Sequence, residues 1–235
     1  MTTLSDQTTL VTGANRGLGR EFVDQFLARG AAKVYAAARD QRSITMHDPR
    51  VIPVALDVTD PTAVTRAAET TSDVAIVVNN AGISSPTPVL SPETTNLRRE
   101  LEATCSAARG HHCLRRPGRR ALGRGGKPRV RTVVGRARCE LQHLEAALWS
   151  ATDSMHLDLN PRGVQVVGVY MGYVDTDMTA GVDALKTSPG DVVRQVLDGI
   201  EAGAAEILAD QLARDVRAAL NRPVDERYAS LTATG

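Results

Sequence analysis

The eight residues T-G-A-N-R-G-L-G, Thr12–Gly19, constrain the fold of this chain more than any other stretch. A β-rich run, Thr8–Val11, precedes them, and apolar residues at helical spacing follow (Phe22, Val23, Phe26, Leu27) as far as Gly30. The order reads strand, glycine turn, helix. Glycines at 13, 17 and 19 let the backbone turn tightly and approach a pyrophosphate. Amide groups and the positive end of the helix dipole then hold its charge.

Strand and helix signals continue to alternate beyond this turn. Lys33–Ala38 reads as a second strand ending in Arg39-Asp40, and Val51–Leu56 as a third that leads into Asp57-Val58-Thr59-Asp60. Asp60 or Thr59 is placed to cap a helix beginning at Pro61. Val74–Val78 reads as a fourth strand, ending in N-N-A-G, Asn79–Gly82. Alternation of this kind implies a doubly wound, Rossmann-like parallel sheet flanked by helices, with its ligand at the carboxyl ends of the strands. At 235 residues the chain fits one such domain spanning 1–235. A basic group at the end of the second strand suits a ribose 2′-phosphate, as an acid there suits a 2′-hydroxyl. Arg39, with Arg16 inside the glycine turn, therefore points to NADP(H) in preference to NAD(H).

T-G-A-N-R-G-L-G, then L-D-V at Leu56–Val58, then N-N-A-G, in that order and at those spacings, resemble the short-chain dehydrogenase/reductase family. The resemblance resumes at Ala146 and runs to about residue 220. It includes Met171-Gly172-Tyr173-Val174-Asp175-Thr176, which looks like the family's Pro-Gly-x-Val-x-Thr loop with methionine in place of proline. It implies hydride transfer between a nicotinamide and a carbonyl or secondary alcohol of a small molecule. Gly13, Asn15, Arg16, Gly17, Leu18 and Gly19 would form the cofactor turn, and Arg39 would meet the 2′-phosphate. Asp57 would meet the adenine amino group and Val58 would offer backbone contacts. Asn79, Ala81 and Gly82 would pack under a ribose, and Val174 and Thr176 would contact the nicotinamide amide. The resemblance also implies homodimers or homotetramers.

The same resemblance implies a proton-transfer set that residues 103–145 lack. The family uses a tyrosine on the substrate oxygen and a lysine four residues later, with a serine and an asparagine. A phenol titrates near 10 on its own, so an adjacent cation must lower it before it exchanges protons near neutrality. Counting back from Ala146 puts Glu145 at the lysine position and Leu141 at the tyrosine position; counting forward from Glu102 puts Thr104 at the asparagine position. Leucine carries no transferable proton, and a glutamate raises a neighbouring acid's pKa. No catalytic residue is intact.

Composition changes abruptly over this window. Residues 103–145 hold ten arginines and Lys127 against Glu140 and Glu145, a local charge of +9 in a chain whose net charge is +1. All three cysteines (Cys105, Cys113, Cys139) and three of the five histidines fall there, and no aromatic residue occurs between Tyr35 and Trp149. The genetic code links these facts. Glu140-Leu141-Gln142-His143-Leu144-Glu145 back-translates to GAG-CTA-CAG-CAT-CTC-GAA, and reading one base later gives Ser-Tyr-Ser-Ile-Ser-Lys, directly before Ala146. Ala103–Ala107 read two bases in permits Asn-Val-Phe-Gly, similar to the family segment that carries the asparagine. The offsets fit one base lost near codon 103, another inside the window and a third near Glu145. Frame disruption is therefore the expected origin of the window, and the chain as written is expected to be inactive.

Other readings of the window are weaker. Cys and His are zinc ligands, but the spacing matches no ribbon or finger, so no metal is expected. The arginines lack interleaved aromatics for base stacking, so no nucleic acid is expected. A non-catalytic NADP(H)-binding sensor is the rival function. Gly118–Pro128 has neither core pattern nor helix signal, so the middle is expected to be irregular, with Val130–Val134 as its β-run. No apolar run reaches the ~18 residues of a membrane helix, and Met1–Gln7 lacks the basic start of a secretory signal, so the expected setting is cytoplasmic.

Overall fold

The structure is a computed structural model that describes residues 3–83, 94–96, 98–100, 102–103, 131–135, 142–223 and 226, of which 131–135 and 142–147 are described as backbone. Seven parallel strands form one sheet in the order β3-β2-β1-β4-β5-β6-β7. They are β1 (Thr8–Thr12), β2 (Lys33–Ala38), β3 (Val51–Ala55), β4 (Ile76–Asn79), β5 (Arg131–Gly135), β6 (Gln165–Tyr170) and β7 (Glu206–Leu208). The helices are α1 (Gly17–Ala28), α2 (Pro61–Thr70), α3 (Gln142–Leu159), α4 (Pro189–Ala202) and α5 (Gln211–Ala219), with further helical residues at 95–96, 98–100 and 102–103. The doubly wound parallel sheet expected from the sequence is the fold observed.

The strands sort their side chains with period two, and each set meets a different layer. Val11, Val34, Ala36, Ile76 and Val78 pack with Phe22, Val23 and Phe26 of α1 and with Val192, Val196 and Ile200 of α4. The alternate residues Leu10, Tyr35, Ala37 and Val77 pack with Ala63 and Ala67 of α2. Burial on both faces explains why β2 and β4 read as near-continuous apolar runs rather than alternating ones, and why Thr9 and Thr12 of β1 are buried with Leu10 and Val11. β3 is the exception: it pairs with β2 alone, exposes Ile52 and tolerates Pro53, as an edge strand does.

Helix boundaries follow their caps. The Asp60 side chain accepts from the Thr62 amide at 2.8 Å with Pro61 in the first turn, which decides between Asp60 and Thr59. Ser188 caps α4 before Pro189, and Gly203 ends that helix at φ 81°. Gly30, where the first helical run ends, and Gly163, after α3, adopt φ of 80° and 75°.

The middle of the chain is not irregular throughout. The expected β-run, shifted by one residue to Arg131–Gly135, lies between β4 and β6, with Val78 beside Val133 and Val133 beside Val167. α3 begins at Gln142, so Glu145 is helical, whereas Thr104, Leu141 and the cysteine positions lie outside the described residues. A parallel strand asks only for β-branched residues of suitable length, and T-V-V supplies them.

Candidate functional site

All seven strands point their carboxyl ends to one edge, and a cleft of about 560 Å3 opens there. This size suits a bound small molecule or cofactor. Its floor is the turn after β1. Gly13 and Gly17 have φ of 66° and 54°, values that favour glycine. A Cβ added at Gly13 would lie 3.1 Å from Ala81 Cα, and one added at Gly19 would collide with the Gly13 carbonyl and stand 2.6 Å from Asn80 Nδ2. Gly19 therefore serves the closure of the turn rather than its surface.

Two residues whose roles the sequence reading did not assign hold this floor to the neighbouring loop. The buried Thr12 hydroxyl donates to the Val78 carbonyl at 3.3 Å and accepts from the Asn80 and Ala81 amides, both at 3.0 Å. Asn80 Nδ2 in turn donates to the Thr12 and Gly13 carbonyls at 3.0 and 3.3 Å. The N-N-A-G segment is thus fastened to the glycine turn, side by side as β1 and β4 are paired. Both residues sat inside quoted motifs; the signal was a hydroxyl and an amide at strand ends, where backbone groups leave the ladder and need partners.

Of the expected cofactor residues, Gly13, Asn15, Arg16, Gly17, Leu18, Arg39, Asp57, Val58, Ala81, Gly82 and Thr176 line the cleft. Gly19, Asn79 and Val174 do not: Gly19 is buried beneath the turn, Asn79 closes β4 at 4% exposure, and Val174 is in the core at 5%. Arg99 and Glu102, from the helical residues after the fourth strand, line the cleft as well.

α1 starts at the cleft without a side-chain cap at Arg16, so the positive end of its dipole faces the opening. Such an end favours an anion. Arg39 leaves the end of β2 exposed, and no hydrogen bond or ion pair among the described residues engages its guanidinium. Its neighbour Asp40 is occupied. Arg42 Nε and Nη2 approach its carboxylate at 2.9 and 3.1 Å and hold its pKa below the usual carboxylate range. Asp57 is likewise lowered, chiefly by the Thr59 hydroxyl at 2.7 Å, then by the Thr59 amide at 2.9 Å, with a smaller pull from Arg39. Arg16 is placed differently from Arg39: it spans the mouth and meets Asp177 at 3.7 Å, both side chains exposed. A pair so exposed is worth little by itself.

The opposite lip is the loop Met171–Thr176. Thr179 Oγ1 donates to the Val174 and Thr176 carbonyls and accepts from the Thr176 amide at 3.3 Å. Thr187 exchanges backbone hydrogen bonds with Tyr173 and Asp175.

Neither buried tyrosine supplies the missing acid. Tyr35 OH bonds Asp73 at 2.9 Å at the amino edge of the sheet, and burial and that bond raise its pKa. Tyr170, stacked on Trp149 with centroids 4.3 Å apart, is raised by burial first and by Asp153 and Glu206 next. Tyr173 does not line the cleft. Among the described residues no group of His, Cys, Asp and Glu is placed to hold a metal, and no helix is long and apolar enough to cross a membrane.

A parallel α/β domain with a glycine turn, an open helix terminus and an exposed arginine at the second strand end belongs to the class of dinucleotide-binding folds. Comparison with known proteins narrows this. The short chain dehydrogenase family model matches residues 7–108. A sorbitol dehydrogenase of Cereibacter sphaeroides is 30% identical over 198 residues, covering 77% of this chain and 75% of its own. A cis-4-hydroxycyclohexanecarboxylate dehydrogenase of Sinomonas cyclohexanicum is 30% identical, covering 77% and 78%. A short chain dehydrogenase from Burkholderia cenocepacia J2315, solved in complex with NADP, superposes with a TM-score of 0.82 at 28% identity over 98% of this chain and 99% of its own. The chain belongs to the short-chain dehydrogenase/reductase family.

Proposed function

We propose that this chain binds NADP(H) in preference to NAD(H) and, as written, does not turn over. The observation that carries the preference is Arg39, exposed at the end of β2 in the cleft, while the adjacent Asp40 carboxylate is neutralised by Arg42. A 2′-phosphate would find a cation there, beside an acid already paired with Arg42. The glycine turn and the open end of α1 suit the pyrophosphate, and the cofactor-bound Burkholderia relative supports the same reading.

The bound nicotinamide would supply or accept the hydride, in exchange with a carbonyl or secondary alcohol. Everything else falls to the chain's own residues. Transfer of a proton to the substrate oxygen needs a group titrating near neutrality. Leu141 at the tyrosine position has no such proton, and Glu145 at the lysine position carries the wrong sign to lower a phenol. Thr104 replaces the relay amide. The binding half is preserved and the proton-transfer half is not, and the out-of-frame reading accounts for both. Cytoplasmic location and a homo-oligomeric assembly are part of the same proposal.

Titration of the chain with NADPH and NADH, followed by fluorescence, tests the reading together with turnover on a panel of aldehydes, ketones and secondary alcohols. Tighter binding of NADPH with no hydride transfer is expected. Equal affinity for the two cofactors defeats the preference, and turnover defeats the inactivity. Binding without turnover, from a gene whose frame is confirmed, identifies the sensor.

A further inference from the structure

The loop Met171–Thr176 owes its position to a residue from a different part of the chain. Asp210 Oδ2 accepts from the Gly172 amide at 2.5 Å, and Oδ1 of the same carboxylate accepts from the Ala213 amide at 2.8 Å. The second bond caps α5; the first reaches the opening peptide of the loop that carries Val174 and Thr176. Beside it the Ala209 amide donates to the Tyr170 carbonyl at 2.8 Å, so β6 and β7 deliver both partners in register.

The approach depends on glycine at 172. A Cβ there would stand 2.8 Å from Leu212 Cδ2 and 3.3 Å from Asp210 Oδ2. Met171, unlike a proline, leaves φ unfixed at the start of the loop. A charge-assisted bond to the next amide supplies the constraint instead. Downstream, Thr179 and Thr187 fasten the rest, so an error at Gly172 would be passed to Thr176, which lies 3.4 Å from where a Cβ on Gly17 would be.

We infer that Asp210 is a positioning residue that sets the Val174–Thr176 lip against the glycine turn, and so governs the nicotinamide end of the site. It acts through the loop and touches neither cofactor nor substrate. The identity of its ligand rests on the NADP(H) reading above; the fastening of the loop does not.

Two variants separate positioning from folding. Asp210→Asn places an amide donor opposite one of the two N–H groups, and Asp210→Ser keeps a good helix cap with a single acceptor. In both, amide exchange at Gly172 should accelerate at least about tenfold while Ala213 stays protected, the size expected for loss of a bond to a charged group. NADPH affinity should fall about tenfold while that of adenosine 2′,5′-bisphosphate, which lacks the nicotinamide half, is unchanged. Unaltered exchange at Gly172 in both variants, or equal weakening of the two ligands, overturns the inference. A wild-type chain that binds neither ligand overturns the NADP(H) reading instead, and the exchange result then decides the role of Asp210.

Discussion

Residues 8–82 and residues 103–145 of one chain stand in sharp contrast. In the first, the levels largely agree: the β-rich and apolar runs become β1, β2 and β4, Gly13, Gly17 and Gly30 take the φ values that glycine favours, and Asp57, Val58 and Arg39 reach the same cleft. In the second, a strand forms, yet the residues that the family's chemistry needs are of the wrong kind. The difference teaches that architecture and catalysis draw on different information. β5 requires only that T-V-V fit between two parallel neighbours, whereas proton transfer requires one phenol and one ammonium at fixed places. A shift of reading frame, as proposed for this window, can spare the first while removing the second.

The contrast can be broken most severely at the floor of the cleft. Gly19→Ala forces a methyl into the Gly13 carbonyl and Asn80. Overpacking of this kind costs ~1–3 kcal/mol, and NADPH affinity should drop by roughly 100-fold if the turn opens to relieve it. Thermal melts and NADPH titration check both. A variant that melts and binds as the parent does would show that the motif's third glycine is not what closes the turn.

A charge change at the second strand end sharpens the contrast further. Arg39→Asp should weaken NADPH by about 10- to 100-fold, the range for losing a charge-assisted contact, and should leave NADH nearly unchanged. Equal weakening of the two refutes the 2′-phosphate role. Arg16 behaves differently in this account: it meets Asp177 across the mouth, so Asp177→Asn should have a smaller effect, within about 1 kcal/mol, on either cofactor.

A further effect concerns Tyr170 and the stability of the fold rather than the cofactor. Burial raises its pKa above the ordinary value of 10.0. A group raised in the folded state contributes stability that is complete below its unfolded pKa and is lost as pH rises toward the folded one. Urea melts of the parent should therefore weaken above pH 10, by up to ~1.4 kcal/mol per pH unit, and Tyr170→Phe should flatten that slope while losing about 1 kcal/mol at neutral pH. An identical alkaline slope in the variant would assign the loss to other groups, Tyr35 among them.

Much of this was legible in the sequence because it rests on local chemistry. Strand runs, the Asp60-Pro61 helix start and the end of the first helix at Gly30 depend on residues close together in the chain. α4 spans Pro189–Ala202, between the Ser188 cap and Gly203. The glycine turn was legible for the same reason. What escaped notice acts across long separations. Thr12 with Asn80 and Asp210 with Gly172 are side chains satisfying the backbone of other segments, and no periodicity marks them. Arg16 lines the cleft as its place in the motif suggests, but its ion pair with Asp177, remote in the sequence, left no mark there. Within the window the β-run was legible, one residue from where β5 lies, and the rest showed only as a break in composition, where charge, cysteine and aromatic content depart from the rest of the chain.

The central claim is that one region was kept in frame and the other was not. Resequencing codons 100–148 of the gene tests it most directly. The account expects lost bases near codon 103, within the window and near codon 145, whose return restores Tyr-Ser-Ile-Ser-Lys immediately before Ala146. An unchanged reading, with Leu141 and Glu145 encoded as written, would contradict it.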